Sequence, residues 1–134
     1  AVDRAAVAQV LGAIGTGEEL PDEGQIELMT ALSGSGPAYP ALLAQAMLGF
    51  LAARGVAPDV AARAVEATVC ASARLLEGQV AAAPALVQTF IAYRGTTCAG
   101  LEAAEAAGFT AAVHAALAAA TAKAAAMREE AART

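Results

Sequence analysis

The sequence predicts an all-α fold, a helical bundle built around one central apolar helix. Three observations carry that prediction. Alanine, the strongest helix former, supplies about a third of the 134 residues. No stretch alternates apolar and polar side chains with a period of two, so no strand is signalled. Glycines and prolines fall where apolar 3.6-residue periodicity stops and restarts, which is how helices are punctuated. The length fits a single domain over 1–134.

The elements follow in order. Val2, Ala5, Ala6, Gln9, Val10 and Ala13 keep helical spacing, which predicts a helix over 2–14 with Gly15-Thr16-Gly17 as its connector. An acidic stretch containing Pro21 leads to Asp22 and Glu23, residue types that favour a first turn, and a helix over about 23–32. Pro37 suits a first helical position, with Ser35 or Gly36 as the cap. The next helix reaches about Arg54; it is apolar all round, the mark of a central helix, and Gly55 ends it. Pro58 opens a helix to about Glu77, stopped by Gly78, in which Arg63 and Glu66 stand at pairing distance. Pro84 starts a short helix over 85–92. A helix capped by Thr96 runs to about Ala107 and Gly108, and Thr110 caps the last, to about Ala131. His114 falls beside its inner stripe without companions at metal spacing.

Composition limits the function. The chain is 58% hydrophobic and 16% charged, with a mean hydropathy of +0.55. That is more apolar surface than one small core hides, which predicts burial against a partner. The net charge is −5, and the eight Lys and Arg are scattered from Arg4 to Arg133; with no basic stripe, nucleic acid is excluded. Cys70 and Cys98, without metal spacing, read as buried thiols in a reducing compartment, that is, the cytoplasm. The uncharged stretch over 28–53 has the length of a bilayer span, but Ser33-Gly34-Ser35-Gly36-Pro37 breaks it, so a buried core helix is expected and no membrane. The start at Ala1, with a helix under way by Val2 and no signal-peptide pattern, reads as a piece of a longer protein.

Two stretches carry the chemistry. Gly95-Thr96-Thr97-Cys98-Ala99-Gly100-Leu101 joins hydroxyls, a flexible glycine and a helix start. Free N–H groups and the positive end of the helix dipole make such a start a carboxylate or phosphate site, or simply a helix cap. Arg94 precedes it, either as an anion contact or as a solvated cation. In Ser33-Gly34-Ser35-Gly36-Pro37, two glycines between serines let the backbone approach a ligand or a neighbouring helix closely.

The run Thr30-Ala31-Leu32-Ser33-Gly34-Ser35-Gly36-Pro37-Ala38-Tyr39 resembles the signature of the pyrroline-5-carboxylate reductase family. Gly95-Thr96-Thr97, Ala99-Gly100-Leu101 and Gly108-Phe109 resemble the same family further downstream. The resemblance covers essentially the whole chain. It implies the family's C-terminal helical domain, of the 6-phosphogluconate-dehydrogenase C-terminal type, with the N-terminal Rossmann domain outside this chain. It further implies reduction of 1-pyrroline-5-carboxylate to proline by NADPH or NADH, held mainly by that other domain. A homodimer is implied, with higher assembly left open. By position, Thr97 matches the imine-contacting threonine, Gly95 and Thr96 the carboxylate-binding turn, and Ser35, Gly36 and Pro37 the segment near the nicotinamide. Arg94 adds a substrate contact. Where the family reads Ser-Pro-Gly-Gly, this chain has Ala92-Tyr93-Arg94-Gly95. That departure keeps open an alternative: a paralogue with another imine substrate, or a dimerisation module without turnover.

Overall fold

The computed structural model describes residues 3–15 and 17–133; Val2 and Thr16, assigned above to the first helix and its connector, lie outside them. Every regular element among the described residues is helical. Helix α1 is Arg4–Ile14, opened by Asp3, whose carboxylate accepts from the N–H groups of Ala5 and Ala6. A 3-10 turn, Glu23–Gln25, leads into α2, Ile26–Met29, which continues without a break as a π-helical turn, Thr30–Gly34. Helix α3 is Ala38–Ala52, and α4 is Pro58–Glu66.

A glycine motif joins α3 to α4. Gly55 has φ +76°, the Gly55 N–H donates to Ala52 O and the Val56 N–H to Leu51 O. Those two bonds satisfy the last carbonyls of α3 and turn the chain back on itself. After α4 the chain stays helical but changes pitch, through a π turn at Ala67–Ala71 and a 3-10 turn at Ser72–Leu76. The single helix expected to reach Glu77 is thus three pitches in succession. In it Arg63 pairs with Asp59 one turn back, at 3.0 Å, rather than with Glu66. Gly78, at φ +73°, breaks the path, and the helical stretches Pro58–Leu76 and Val80–Ala92 meet at 100°. Helix α5 is Ala83–Ala92, α6 is Thr96–Ala106, and α7 is Phe109–Ala131. Gly108, at φ +88°, separates the last two. Thr110 does not cap α7; its hydroxyl donates to Glu105 Oε1 at 2.7 Å, tying α7 back to α6.

Packing is uneven. α3 lies on α4, α5 on α6, and α7 on α6, α2 and the Thr30–Gly34 turn. Among the described residues only Ala31, Ala61, Val65 and Cys98 are buried apolar side chains, and no large side chain is fully buried. The central helix α3 buries none of its residues. Accessible surface measures 10515 Å², whereas a compact monomer of this mass exposes about 6,400 Å². The excess, about 4,000 Å² on one protomer, exceeds the ~1,000–2,500 Å² that each partner of an obligate pair buries, so there is ample surface for one. The helix expected to be buried is therefore covered on one side only within one protomer, where Ala44, Met47 and Leu51 are half-buried against α4. At 15 residues it is also shorter than the ~20 residues that cross a bilayer. By length and composition α7 does reach a spanning length, with a mean hydropathy of 1.2 over its apolar window. It is held laterally by α2 and α6 and carries Lys123, Arg128, Glu129 and Glu130.

Candidate functional site

The signature stretch is built on widened helical pitch. At Thr30–Gly34 each turn carries an extra residue, a geometry found often where helices bear function. Side-chain hydroxyls hold it: Thr30 Oγ1 donates to Ile26 O at 2.8 Å and Ser33 Oγ to Met29 O at 2.7 Å. Tyr39, from the first turn of α3, donates its hydroxyl to Ala31 O at 3.1 Å. Ala31 beneath that bond is the most buried of these residues, at 2% exposure. The turn therefore sits at the best-packed spot in the chain.

Its tip is Ser35, Gly36 and Pro37. Ser35 adopts φ −93°, ψ 0°, the sparsely populated bridge region that active-site residues often occupy. A Cβ on Gly36 would lie 3.0 Å from Ser33 O, too close for any other residue without a shift. The expected caps of α3 are displaced by one position: Pro37 is the N-cap residue, and the Ala38 N–H bonds Ser35 O at 2.9 Å. The Ser35 hydroxyl has no hydrogen-bond partner among the described residues; Ser35 and Gly36 are half-buried and Pro37 is exposed.

The second stretch differs from expectation in an instructive way. Gly95, not Thr96, is the N-cap of α6, and no side chain caps the helix. The first-turn N–H groups of α6 consequently have no side-chain acceptor. Gly95 is not there for a left-handed backbone, since its φ is −94°. A Cβ on it would meet the Tyr93 ring at 3.1 Å, a close contact that the exposed ring would have to yield to. The left-handed residue is Arg94, at φ +53°, the one non-glycine so placed among the described residues. That conformation costs on the order of 1 kcal/mol in an L-residue. The Arg94 guanidinium makes no ion pair among the described residues. Thr96 and Thr97 are exposed, and their hydroxyls are likewise free of hydrogen-bond partners there.

Arg94 and Gly95 also line a cleft of about 470 Å³ with Ile91, Cys98, Ala99 and Glu102. Gly95, Cys98, Ala99 and Glu102 recur at helical spacing on one side of α6. Thr97, at 100° per residue, projects from the other side. Burial raises the Cys98 thiol above its ordinary pKa, and a hydrogen bond and charge repulsion from Glu102 add to that. The shift is away from the thiolate, the reactive form of the side chain. Cys70, expected to be buried, is exposed. His114 is exposed too.

Within one protomer the two stretches meet through α7, which packs on the Thr30–Gly34 turn and on α6. No hydrogen bond or ion pair joins Ser35–Pro37 to Arg94–Thr97 among the described residues. Sequence reasoning missed Glu27 and Arg128, whose side chains form an ion pair between α2 and the last turns of α7. Glu27 is the one buried charged residue described. Its only local signal is an acid among the apolar Ile26 and Met29, and its partner stands too far along the chain for any spacing rule.

Three comparisons bear on this geometry. A family described as pyrroline-5-carboxylate reductase dimerisation matches residues 23–127. A pyrroline-5-carboxylate reductase of Pseudomonas aeruginosa is 36% identical over 122 residues, covering 91% of this chain and 45% of its own length. The crystal structure of Plasmodium falciparum pyrroline carboxylate reductase with NADP bound superposes with a TM-score of 0.77 at 25% identity, covering 94% of this chain and 49% of that one. The chain spans about half the length of the relatives it matches.

Proposed function

The chain belongs to the pyrroline-5-carboxylate reductase family through its dimerisation domain, and from that premise we propose that it is the dimerising, substrate-completing C-terminal half of an NAD(P)H-dependent imine reductase that converts 1-pyrroline-5-carboxylate to proline. One observation carries the substrate side of this reading. Helix α6 opens with uncapped amides beside two unpartnered threonine hydroxyls and a free guanidinium. Backbone amides at a helix start bind a carboxylate, and Arg94 adds a full positive charge at the rim. The Thr97 hydroxyl is the group for the imine nitrogen, which gains basicity as the ring carbon is reduced.

NADPH or NADH, when bound, supplies the hydride. The turn at Ser35-Gly36-Pro37 fits the nicotinamide end. Its serine hydroxyl is free, Gly36 presents bare backbone, and Pro37 gives an apolar edge. This chain holds no Gly-x-Gly-x-x-Gly run, so the rest of the dinucleotide is assigned to a separate nucleotide-binding domain. A homodimer is the occupant assigned to the bare faces of α3 and α4. Two thiols without a disulfide fit cytoplasmic work. No membrane or nucleic-acid role is assigned.

The departure at Ala92–Gly95 does not favour the alternative. Arg94 adopts the left-handed backbone that glycine favours, which is compatible with a turn built on glycine at that position; Ala92 and Tyr93 remain changes of side chain. The deciding experiment is a coupled assay of the full-length protein with pyrroline-5-carboxylate and NADPH. Turnover with proline as product is expected. Absence of turnover at millimolar substrate, with a related cyclic imine accepted instead, moves the chain to the paralogue class.

A further inference from the structure

We propose that Glu27 and Arg128 are positioning residues, whose ion pair sets the height and angle of the turn that faces the cofactor; this rests on the reductase reading above. The other ion pairs described, Arg4–Glu19 and Arg63–Asp59, are exposed at both ends. Glu27–Arg128 is different. The glutamate side chain keeps only 10% of its exposure and the arginine 71%, and the two come from opposite ends of the domain. A buried carboxylate is a poor device for stability, since apolar packing of the same volume does as well or better. It is a good device for register.

Register is what this contact lacks otherwise. The part of α7 beside Arg128 runs Ala124-Ala125-Ala126, a smooth surface against which α2 can slide or roll. The segment from Ile26 to Gly34 is continuous helix, with Glu27 near one end and Ser35 just beyond the other. Eight residues of helix put them about 12 Å apart. A tilt of about 10° at the ion pair moves Ser35 by about 2 Å on that lever. Misplacement of a reacting group by ~1 Å can cost ~100-fold in rate. The lever is held midway by the Tyr39 hydroxyl on Ala31 O. Together the two contacts fix the segment at its start and its middle, with the Ser35–Pro37 tip carried beyond.

The test is steady-state kinetics of the full-length holoenzyme carrying Glu27→Gln, which keeps shape and removes charge, and Arg128→Lys, which keeps charge and loses the planar fork. Glu27→Gln should lower kcat about tenfold and raise KM for NADPH while leaving KM for the imine within about twofold, with Arg128→Lys intermediate. Equal changes in both KM values, or a lowered melting temperature with neither KM changed, mean a purely structural pair and overturn the inference. If Glu27→Gln does not fold, Arg128→Lys decides by the same criterion. Ser35→Ala separates the two levels. If it shifts KM for NADPH while the ion-pair variants do not, the positioning inference alone fails. If Ser35→Ala has no effect on NADPH, the cofactor-side reading of the turn fails and takes the inference with it.

Discussion

The α3–α4 hairpin and the α2–α7 corner are made from the same apolar, alanine-rich alphabet, yet only the second closes on itself. At the corner, Ala31 is nearly inaccessible, Tyr39 bonds over it, and Glu27 finds Arg128. In the hairpin, α3 buries nothing, and Leu42, Leu43, Leu48 and Phe50 are exposed. Only Ala61 and Val65 on α4 reach burial. A helix that is apolar all round has no solvent face, so one neighbour cannot satisfy it. The corner is a finished structure that presents a turn. The hairpin is half of a structure, and the other half is assigned to a second copy.

The contrast breaks most directly at Leu42, which is 65% exposed in the protomer. Leu42→Asp places an unpaired carboxylate where a partner helix should lie. The cost of burying such a charge, ~3 kcal/mol or more, translates to about 100-fold weaker association. Sedimentation at micromolar concentration should show monomer. A dimer unchanged in mass and affinity would mean that α3 faces something else.

At the corner the corresponding change is Gly36→Ala. Its Cβ would stand 3.0 Å from Ser33 O and 3.4 Å from Leu32 O. Relief of that clash must distort the turn at a cost of about 2 kcal/mol. Loss of NADPH affinity with the dimer intact is the expected outcome, read by fluorescence titration and sizing. Thr97→Ala should be milder, a fall of about tenfold in kcat with unchanged melting, because an exposed hydroxyl without a partner contributes nothing to the fold. An unchanged kcat removes Thr97 from the chemistry.

How much of this was legible in the sequence varies residue by residue. Gly55, Gly78 and Gly108 stop helices, and all three have left-handed backbones, as the punctuation predicts. The widened turns at Thr30–Gly34 and Ala67–Ala71 were illegible, because helix propensity and periodicity do not distinguish an i→i+4 from an i→i+5 bond. The cap of α6 was misplaced by one residue because glycine and threonine are both acceptable caps, and nothing in the local sequence decides between them. Exposure of Cys70 was missed for a deeper reason. Apolar pattern reports which side is kept from water in the assembled state, and on the proposed dimer one protomer is only part of that state. The Gly95–Leu101 run was readable as a candidate anion site from its helix start, and Ser33–Pro37 as a close-approach segment, but only resemblance to a family attached substrate and nicotinamide to them.

Arg94→Gly sharpens the comparison from the other side. It should relieve the left-handed strain, worth about 1–2 kcal/mol, against a glycine entropy cost of about 0.5–1 kcal/mol. The net is a slightly more stable protein, with melting raised by about 3 °C. KM for the carboxylated imine should rise at the same time if the guanidinium contacts it. Greater stability with an unchanged KM would leave Arg94 as strain without function.

The smallest effects belong to the two thiols, and they report on both regions at once. Cys70 lines a groove beside α3 with Pro40, Ala44 and Leu48, so a second copy on α3 would shield it. Cys98 is shielded by its own protomer. Alkylation should therefore be slow at both thiols in the assembled protein. In the Leu42→Asp variant Cys70 should react quickly and Cys98 should not. Fast reaction of Cys70 in the unmutated dimer would place the partner elsewhere. Burial raises the Cys98 pKa in the folded chain, so the fold binds that proton more tightly than the unfolded chain does. The resulting stability is fully present below the ordinary thiol pKa and is lost as pH rises through the raised folded value. Melting temperature should decline into alkali more steeply in the unmutated protein than in Cys98→Ala, and parallel curves would show that Cys98 carries no such linkage.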